Sequence, residues 1–494
     1  MWGTTADVAV VGNGVLGLSI ALELVRRSPG ARVVVVGPAS RPGSATTAAG
    51  AMLNCFAEVT DSTARHPAAR AEFALAREAL DAWPQWFERL HHEGAEGAAS
   101  LPSTLSPGTF VILGAQATPA AVRNFEAVHA ALKEHAEPHH EVDPAEIHVL
   151  RPVPHERPVR ALYLEREGSL DARALLLALE NAGRRTGVTS LEGEVSELVS
   201  THGAACGLRL EDGRVVSAGA VVLAAGTASQ QLLGRVAPDH TAPPLLHGTG
   251  FAVQTLRQEP VGFDHVIRTP TRSGACGMHL VPLGGGVEYI GATNIVLFDP
   301  PAGPRVGVTQ SLLRFATEQF DVRLGMSAIQ RWHYGSRPVT LDRFPLLGPA
   351  PIDGLFLATG TYRDGFHSSP VIARRLADMI LDPGPVPDSF GPFTPFRAPI
   401  ETTTVDAAID RYVADAVETA TEYGLRLPYF LDTGPVASHA RREARQALER
   451  LDRPLALAPE ILGAVRDASP AHVQHLNRYL HATHARHSAP STAD

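Results

Sequence analysis

The chain is nearly devoid of lysine: of its 43 basic residues only Lys133 is not an arginine. Any chemistry that needs a lysine side chain therefore has a single candidate. Cysteine is scarce too. Cys55, Cys206 and Cys276 form no CxxC pair, which excludes a disulfide framework and a cysteine zinc site. Positive charge is not in excess. A formal net charge of −9 removes the electrostatic case for binding nucleic acid or an anionic membrane. No apolar run reaches membrane-spanning length. The chain enters a strand-like run at Ala6–Val11 with no room for a signal peptide before it, so a reducing cytoplasm is the expected location. No internal repeat is visible. What is present is the ordinary composition of a globular chain, long enough for two or three domains.

The opening segment reads strand, tight glycine turn, helix, strand. Asp7–Val11 and Arg32–Val36 are short β-branched runs, and Val15–Arg27 is apolar on most faces, as a helix packed on a sheet should be. Further helices are expected over Ala64–His92, Asp171–Thr186 and Thr309–Phe320. Strands are expected at Gly108–Leu113, Gly193–Ser200, Cys206–Glu211 and Val215–Ala225. Asp212-Gly213 supplies the turn between the last two. A proline-rich linker follows Leu381, and the segment from about Thr404 onward is mostly helical.

Gly12-Asn13-Gly14-Val15-Leu16-Gly17 is a GxGxxG in the context that makes it credible: it follows a buried strand, opens a helix and leads to a second strand. Gly12 permits the tight turn. Gly14 lets backbone amides approach a pyrophosphate, and Gly17 lets helix and strand pack closely. The helix N-terminus, with Val15 and Leu16, then faces phosphate charge. The acid expected at the end of the second strand is missing. Val36 is followed by Gly37, and no acidic residue occurs between Glu23 and Glu58. Ser40 is a candidate for the ribose hydroxyl, and Arg41 keeps open a 2′-phosphate and hence NADP.

Three further segments carry a family resemblance. Ser44-Ala45-Thr46-Thr47-Ala48-Ala49-Gly50-Ala51-Met52-Leu53, then Ala220–Ser229 with Ala225-Gly226, then Gly335-Ser336-Arg337-Pro338 through Tyr362-Arg363-Asp364-Gly365 together resemble the D-amino-acid oxidase superfamily of FAD-dependent oxidoreductases, with the glycine oxidase-like branch nearest. The resemblance implies an α/β fold: an FAD-binding Rossmann-like domain, with a mixed-sheet α+β substrate domain and, outside the resemblance, a helical C-terminal extension. It implies FAD contacts from Thr46, Thr47, Ala48, Ala49 and Gly50, from Ala225 and Gly226, from Val195 beside the adenine, and from Arg363, Asp364, Gly365 and Phe366. It also implies that Arg337 grips a substrate carboxylate, a role that suits a bidentate guanidinium. Arg363, Tyr362 and Met52 complete the expected catalytic set. Ser369-Pro370 reads as the start of a helix whose N-terminus points at the flavin.

The chain departs from that pattern in places. His279 stands where many relatives carry a substrate-binding tyrosine, and reads either as a substrate contact, acting as a base, or as a hydrogen-bonded strand histidine. Asp364 replaces an asparagine. No cysteine lies near the C-terminal signature, so FAD is expected to be non-covalent, and the lysine that activates oxygen in sarcosine-oxidase-type relatives is absent. The spaced histidines His472, His475, His481, His484 and His487 read as a solvated or partner-packing helix, and no metal is expected.

The expected domains are residues 1–60, 150–240 and 335–383 for FAD, 61–149 and 241–334 for substrate, a linker at 384–403 and the extension at 404–494. The expected activity is hydride removal from the Cα of an amino acid or N-substituted glycine, with oxygen reduced to hydrogen peroxide. The expected partners are a small carboxylate-bearing amine and molecular oxygen, with homo-oligomerisation left open. Two alternatives stay open: a flavin dehydrogenase of a 2-hydroxy acid, and a non-catalytic flavin-fold partner subunit.

Overall fold

In the computed structural model, which describes residues 3–94, 105–236, 242–259, 264–272, 276–428 and 432–488, the valine-rich strands Thr4–Val11 and Val33–Gly37 pair in parallel. Thr4–Val11 also pairs in parallel with Val215–Leu223, and the sheet continues to Leu355–Thr359 on one side and Thr189–Glu192 on the other. Strands of this kind are buried on both faces, which is why they read as unbroken apolar runs. Helices Val15–Arg27, Ala172–Thr186 and Ser369–Leu381 cover one face, joined by Trp83 and Phe87 of the long helix Pro67–Gly94. Ala172–Thr186 has its termini written locally. Asp171 accepts from the amides of Arg173 and Ala174 at 2.8 and 3.0 Å, and Gly187 closes the helix in a left-handed conformation. The hairpin Val195–Thr201/Ala204–Leu210 and helix Ser229–Val236 cover the opposite face. The Asp212-Gly213 turn leads from this hairpin into the antiparallel strand Val215–Leu223.

A second, mixed sheet runs Ile295–Leu297, Leu245–Leu256, Val287–Gly291, His279–Gly284, Val266–Arg268, Ser106–Gly114, Pro158–Ser169, Met52–Leu53. The strand Ala328–Thr340, which carries Arg337, lies antiparallel on Leu245–Leu256 along its whole length. Three segments depart from the expected partition: Met52–Leu53, Pro158–Ser169 and Gly335–Thr340 all pair in this second sheet, although 1–60, 150–240 and 335–383 would place them with the first. The reason is physical: strand pairing joins residues distant in sequence, and a boundary drawn from motifs cannot see it. The helix at the C-terminal signature begins one residue earlier than expected, with Ser368 at the cap position and Ser369 inside it.

The extension forms helices Val405–Glu422, Gly434–Glu449, Pro459–Asp467 and Pro470–Ser488. It does not stand apart. Ile409, Leu448, Ile461 and Leu476 share one apolar cluster with Leu246, Val339, Leu341 and Tyr362 of the signature region. Of its histidines, His472 stacks on Phe298 and faces Asp299, while His481 pairs with Asp452 at 2.7 Å. The side chain of His487 lies outside the described residues.

Candidate active site

The glycine turn is held by contacts that leave no room for side chains. Gly12 sits at φ +111°, and a Cβ there would overlap the Ala224 carbonyl; a Cβ on Gly17 would overlap the carbonyl oxygen of Gly12. Gly14 is the cap residue of the buried helix that begins Val15-Leu16, and a Cβ on it would lie 3.2 Å from Thr46 Oγ1. The same hydroxyl accepts from the Val15 amide at 3.2 Å, tying the Ser44–Gly50 loop to the helix N-terminus.

The strand end that lacks an acid is occupied from within the turn itself. The carboxamide of Asn13 folds over Gly37, where a Cβ would lie 2.6 Å from Asn13 Oδ1, and Asn13 Nδ2 donates to the Pro38 carbonyl at 2.9 Å. Ser40 is exposed. Arg41 is paired with Glu180, so its charge is already met. Val195 opens the strand beside this end, where Gly193 donates to the Gly37 carbonyl at 3.1 Å. Ala225 and Gly226 follow the Val215–Leu223 strand, and the Gly226 carbonyl accepts from Thr359 Oγ1 at 3.0 Å. Gly365 lies 3.8 Å, measured from a built Cβ, from Leu16 Cδ1. Phe366 stacks on Trp83 at 6.2 Å.

The Ser44–Gly50 loop then runs directly onto the arginine strand. Ser44 and Ser336 form a bridge, Ser336 donates to the Gly43 carbonyl at 2.9 Å, and a Cβ on Gly335 would come within 2.7 Å of Ala48 Cβ. Thr47 Oγ1 donates to the Ser44 carbonyl, and the Ala49 amide to the Thr46 carbonyl. Gly50 faces Tyr289 and His279, which a Cβ would meet at 2.9 and 3.1 Å. Tyr289 Oη donates to the Ala48 carbonyl at 2.8 Å. Met52 follows, packed among Val281 and Tyr289. The dinucleotide motif and the arginine signature thus meet through one loop.

Arg337 emerges from its strand opposite Gly248, next to Gly250. A Cβ on Gly250 would collide with the guanidinium, so glycine there makes the space that the arginine fills. Nη1 donates to the carbonyls of Gly248 and Thr293 at 3.4 Å and to Asn294 Oδ1 at 3.3 Å. These are neutral acceptors at long range, and among the described residues no carboxylate pairs with Arg337. Asn294 Nδ2 also donates to Tyr362 Oη. Tyr362 holds a left-handed backbone, φ +46°, and Arg363 lies over its ring at 5.3 Å.

Behind Arg363 is a charge network that sequence reasoning missed. Glu58 Oε1 accepts from the fully buried Arg268 at 2.6 Å, and Oε2 lies 3.9 Å from Arg363. Burial alone would raise the Glu58 carboxyl, but Arg268 and Arg363 overcome it and hold it at about 2. Cys276 lies near enough to Arg363 to help raise its guanidinium, so a cysteine distant in sequence does lie beside the signature. Asp364 is pushed up to about 6 by burial and by Glu58. His279 is buried, stacked parallel to Tyr289 at 5.8 Å, with Nδ1 against the Gly277 carbonyl. Burial, then Arg268, drive its imidazole down to about 3, which is a poor match to a base for a substrate ammonium. Burial likewise lowers His333, on the arginine strand and beside Tyr289, to about 4. Glu58, Arg268, Tyr289, Asn294 and His333 belong to no local motif. Only the two-residue periodicity His333, Gly335, Arg337 along one strand face could have pointed to one of them.

Comparison with known proteins bears on this geometry. A family model described as FAD dependent oxidoreductase, DAO, matches residues 7–379. The bifunctional protein ThiO/ThiG of Synechocystis sp. is 28% identical over 381 residues, covering 77% of this chain and 52% of that protein. The glycine oxidase of Geobacillus kaustophilus is 27% identical over 384 residues, covering 76% and 92%. The chain therefore spans about half the length of the bifunctional relatives it matches. The crystal structure of glycine oxidase from Geobacillus kaustophilus superposes with a TM-score of 0.66 at 24% identity, over 80% of this chain and 99% of that one. That of iminodiacetate oxidase from a Chelativorans species gives 0.64 at 20% identity, over 78% and 98%.

Proposed function

The chain belongs to the FAD-dependent oxidoreductase family, and from that premise we propose that it oxidises the carbon–nitrogen bond of an amino acid or N-substituted glycine, using molecular oxygen. The cleft fits a flavin dinucleotide. Gly12, Gly14 and Gly17 leave the helix N-terminus open to a pyrophosphate. Asn13 supplies a carboxamide where the ribose-binding acid is missing. Arg41, neutralised by Glu180, gives no pull toward a 2′-phosphate. Thr46–Gly50, Ala225-Gly226, Val195 and Arg363–Phe366 would line the remainder of a non-covalent site. FAD held there would supply a two-electron acceptor for the hydride from the substrate Cα and a route for those electrons to oxygen, giving hydrogen peroxide.

The chain's own residues do the positioning. Arg337, satisfied only by neutral acceptors, offers its fork to the substrate carboxylate, and that observation carries the proposal. Asn294 steadies Arg337 and Tyr362 together. His279 is neutral at physiological pH and contributes an apolar, hydrogen-bonding wall rather than proton transfer. The amine must therefore arrive deprotonated or lose its proton to water. Once oxidised, the imine hydrolyses to an oxo acid, or releases an aldehyde fragment when the nitrogen carried a substituent.

The test is anaerobic reduction of the purified, yellow full chain by amino acids, followed by peroxide detection in air. Arg337→Ala should retain flavin and raise KM by about 100-fold, the loss expected of a buried charge-assisted pair. Arg337→Lys should fall between, because the fork is lost but the charge is kept. Unchanged turnover in Arg337→Ala overturns the assignment. Reduction by 2-hydroxy acids without peroxide would point to a dehydrogenase instead.

A further inference from the structure

A cavity of about 480 Å³ lies between the signature turn, the long helix Pro67–Gly94 and the C-terminal extension. Asn294 and Tyr362 line it from the arginine side, and Pro459 and Glu460 from the extension. Those last residues lie beyond the segment that the family model matches, residues 7–379. The solved glycine oxidase is covered over 99% of its length by 80% of this chain, so the extension gives this cavity a wall that the relative lacks.

The charge in the lining is unequally satisfied. Arg65, Arg123, Arg272, Arg343, Arg363 and Arg411 each have a carboxylate within 4 Å. Glu72 and Asp364 are the opposite case. Their side chains make no hydrogen bond or ion pair among the described residues, and burial raises both carboxyls, helped at Glu72 by Asp364 and at Asp364 by Glu58, against the pull of Arg343 and Arg363. Two buried acceptors of the same lining are also unmet. Asn54 is 4% exposed and Thr271 9% exposed, and among the described residues neither Asn54 Oδ1 nor the Thr271 hydroxyl has a partner. Unmatched acceptors and carboxyls without a hydrogen-bonding partner are costly unless a cationic donor fills the space.

We propose that this cavity is a substrate subsite, walled by the helical extension, that receives the distal ammonium or guanidinium of a basic amino acid whose carboxylate Arg337 holds. Asn294 joins the two ends, since its Oδ1 accepts from Arg337 while the residue also lines the cavity. A cation there meets Glu72 and Asp364, with Asn54 Oδ1 and the Thr271 hydroxyl as further acceptors. The extension's part is anchored by the Glu460–Arg343 pair at 3.1 Å. The inference rests on the role given to Arg337.

The experiment compares flavin reduction of the full chain, without oxygen, by both enantiomers of lysine and of norleucine, its counterpart without the ammonium, and by glycine. Lysine should outperform norleucine in reduction rate over dissociation constant by about tenfold or more, as a buried charge pair implies. Glu72→Gln should collapse that ratio toward one. Asn54→Leu gives a second, independent loss, should Glu72→Gln not fold. Norleucine matching lysine, or Glu72→Gln lowering both in step, overturns the subsite and leaves Arg337 in place. Failure of every amino acid to reduce the flavin overturns the Arg337 reading itself, and the subsite with it.

Discussion

The two ends of the cleft are built on opposite principles. At the dinucleotide end the chain clears side chains away: Gly12, Gly17 and Gly37 each stand where a Cβ would strike backbone or a neighbouring side chain. At the substrate end it crowds charged side chains together, with Glu58, Arg268, Arg363 and Asp364 interacting in one buried group. The first strategy uses backbone amides and a helix terminus, which need no partner elsewhere in the chain. The second needs partners, and they come from far away: Arg268 and Glu58 are 210 residues apart in sequence.

The comparison breaks first where backbone has no slack. Gly17→Val should have the largest effect, since its side chain must enter space held by the Gly12 carbonyl and by Val10. The expected result is apoprotein or no folded protein, with a loss of about 3 kcal/mol or more, read as absent flavin absorbance and a lowered Tm. A holoprotein of normal Tm would show that the turn can move aside, and that the dinucleotide end is less rigid than its packing implies.

A smaller effect tests Asn13, the side chain proposed to stand in for the missing acid. Asn13→Ala should weaken FAD binding about tenfold, the value of one or two lost hydrogen bonds, measured by flavin fluorescence on dilution. Gly37→Glu alone should also weaken it, because the new side chain meets the Asn13 carboxamide. In the double variant Asn13→Ala/Gly37→Glu the acid has its space back, and affinity should recover above the sum of the two single losses. Simple additivity would mean that Asn13 and Gly37 do not substitute for the missing acid. Arg41→Ala should leave affinity nearly unchanged.

That contrast explains what could be read in advance. The turn, the flanking strands and the helix at Val15–Arg27 are set by residues adjacent in sequence, so pattern and glycine spacing reach them. Arg337 could be singled out because the residues around it form a contiguous signature. Asn13 was not, although it lies inside the motif: its role depends on Gly37, and only the fold brings the two together. Glu58 and Arg268 carry no local mark at all, and Cys276 reaches Arg363 only through the second sheet. The extension was legible as helices, because helical periodicity is local, and illegible as a cavity wall, because its apolar faces do not say what they cover.

The last expected effect concerns Glu167, which supports the substrate end from behind. It is 1% exposed, and its Oε1 accepts from the amides of Cys55, Phe56 and Ala57 at 2.9, 2.5 and 3.2 Å, fixing the turn that carries Glu58. Its Oε2 has no partner among the described residues. Burial raises the carboxyl to about 7 despite those three donors. In the unfolded chain the group releases its proton near the ordinary glutamate value, about 4.3. The folded state thus binds more protons than the unfolded state between those values. The stability this contributes is complete below the unfolded pKa and is lost as pH rises through 7, at up to about 1.4 kcal/mol per pH unit. Glu167→Gln keeps one amide oxygen for the three donors and cannot ionise. Its Tm relative to the parent should therefore climb from pH 5 to 7 and level off above. A difference that is flat over this range would show that Glu167 is already ionised in the fold. The turn beneath Glu58 would then be held by a full negative charge, and Arg268 would face two carboxylates rather than one.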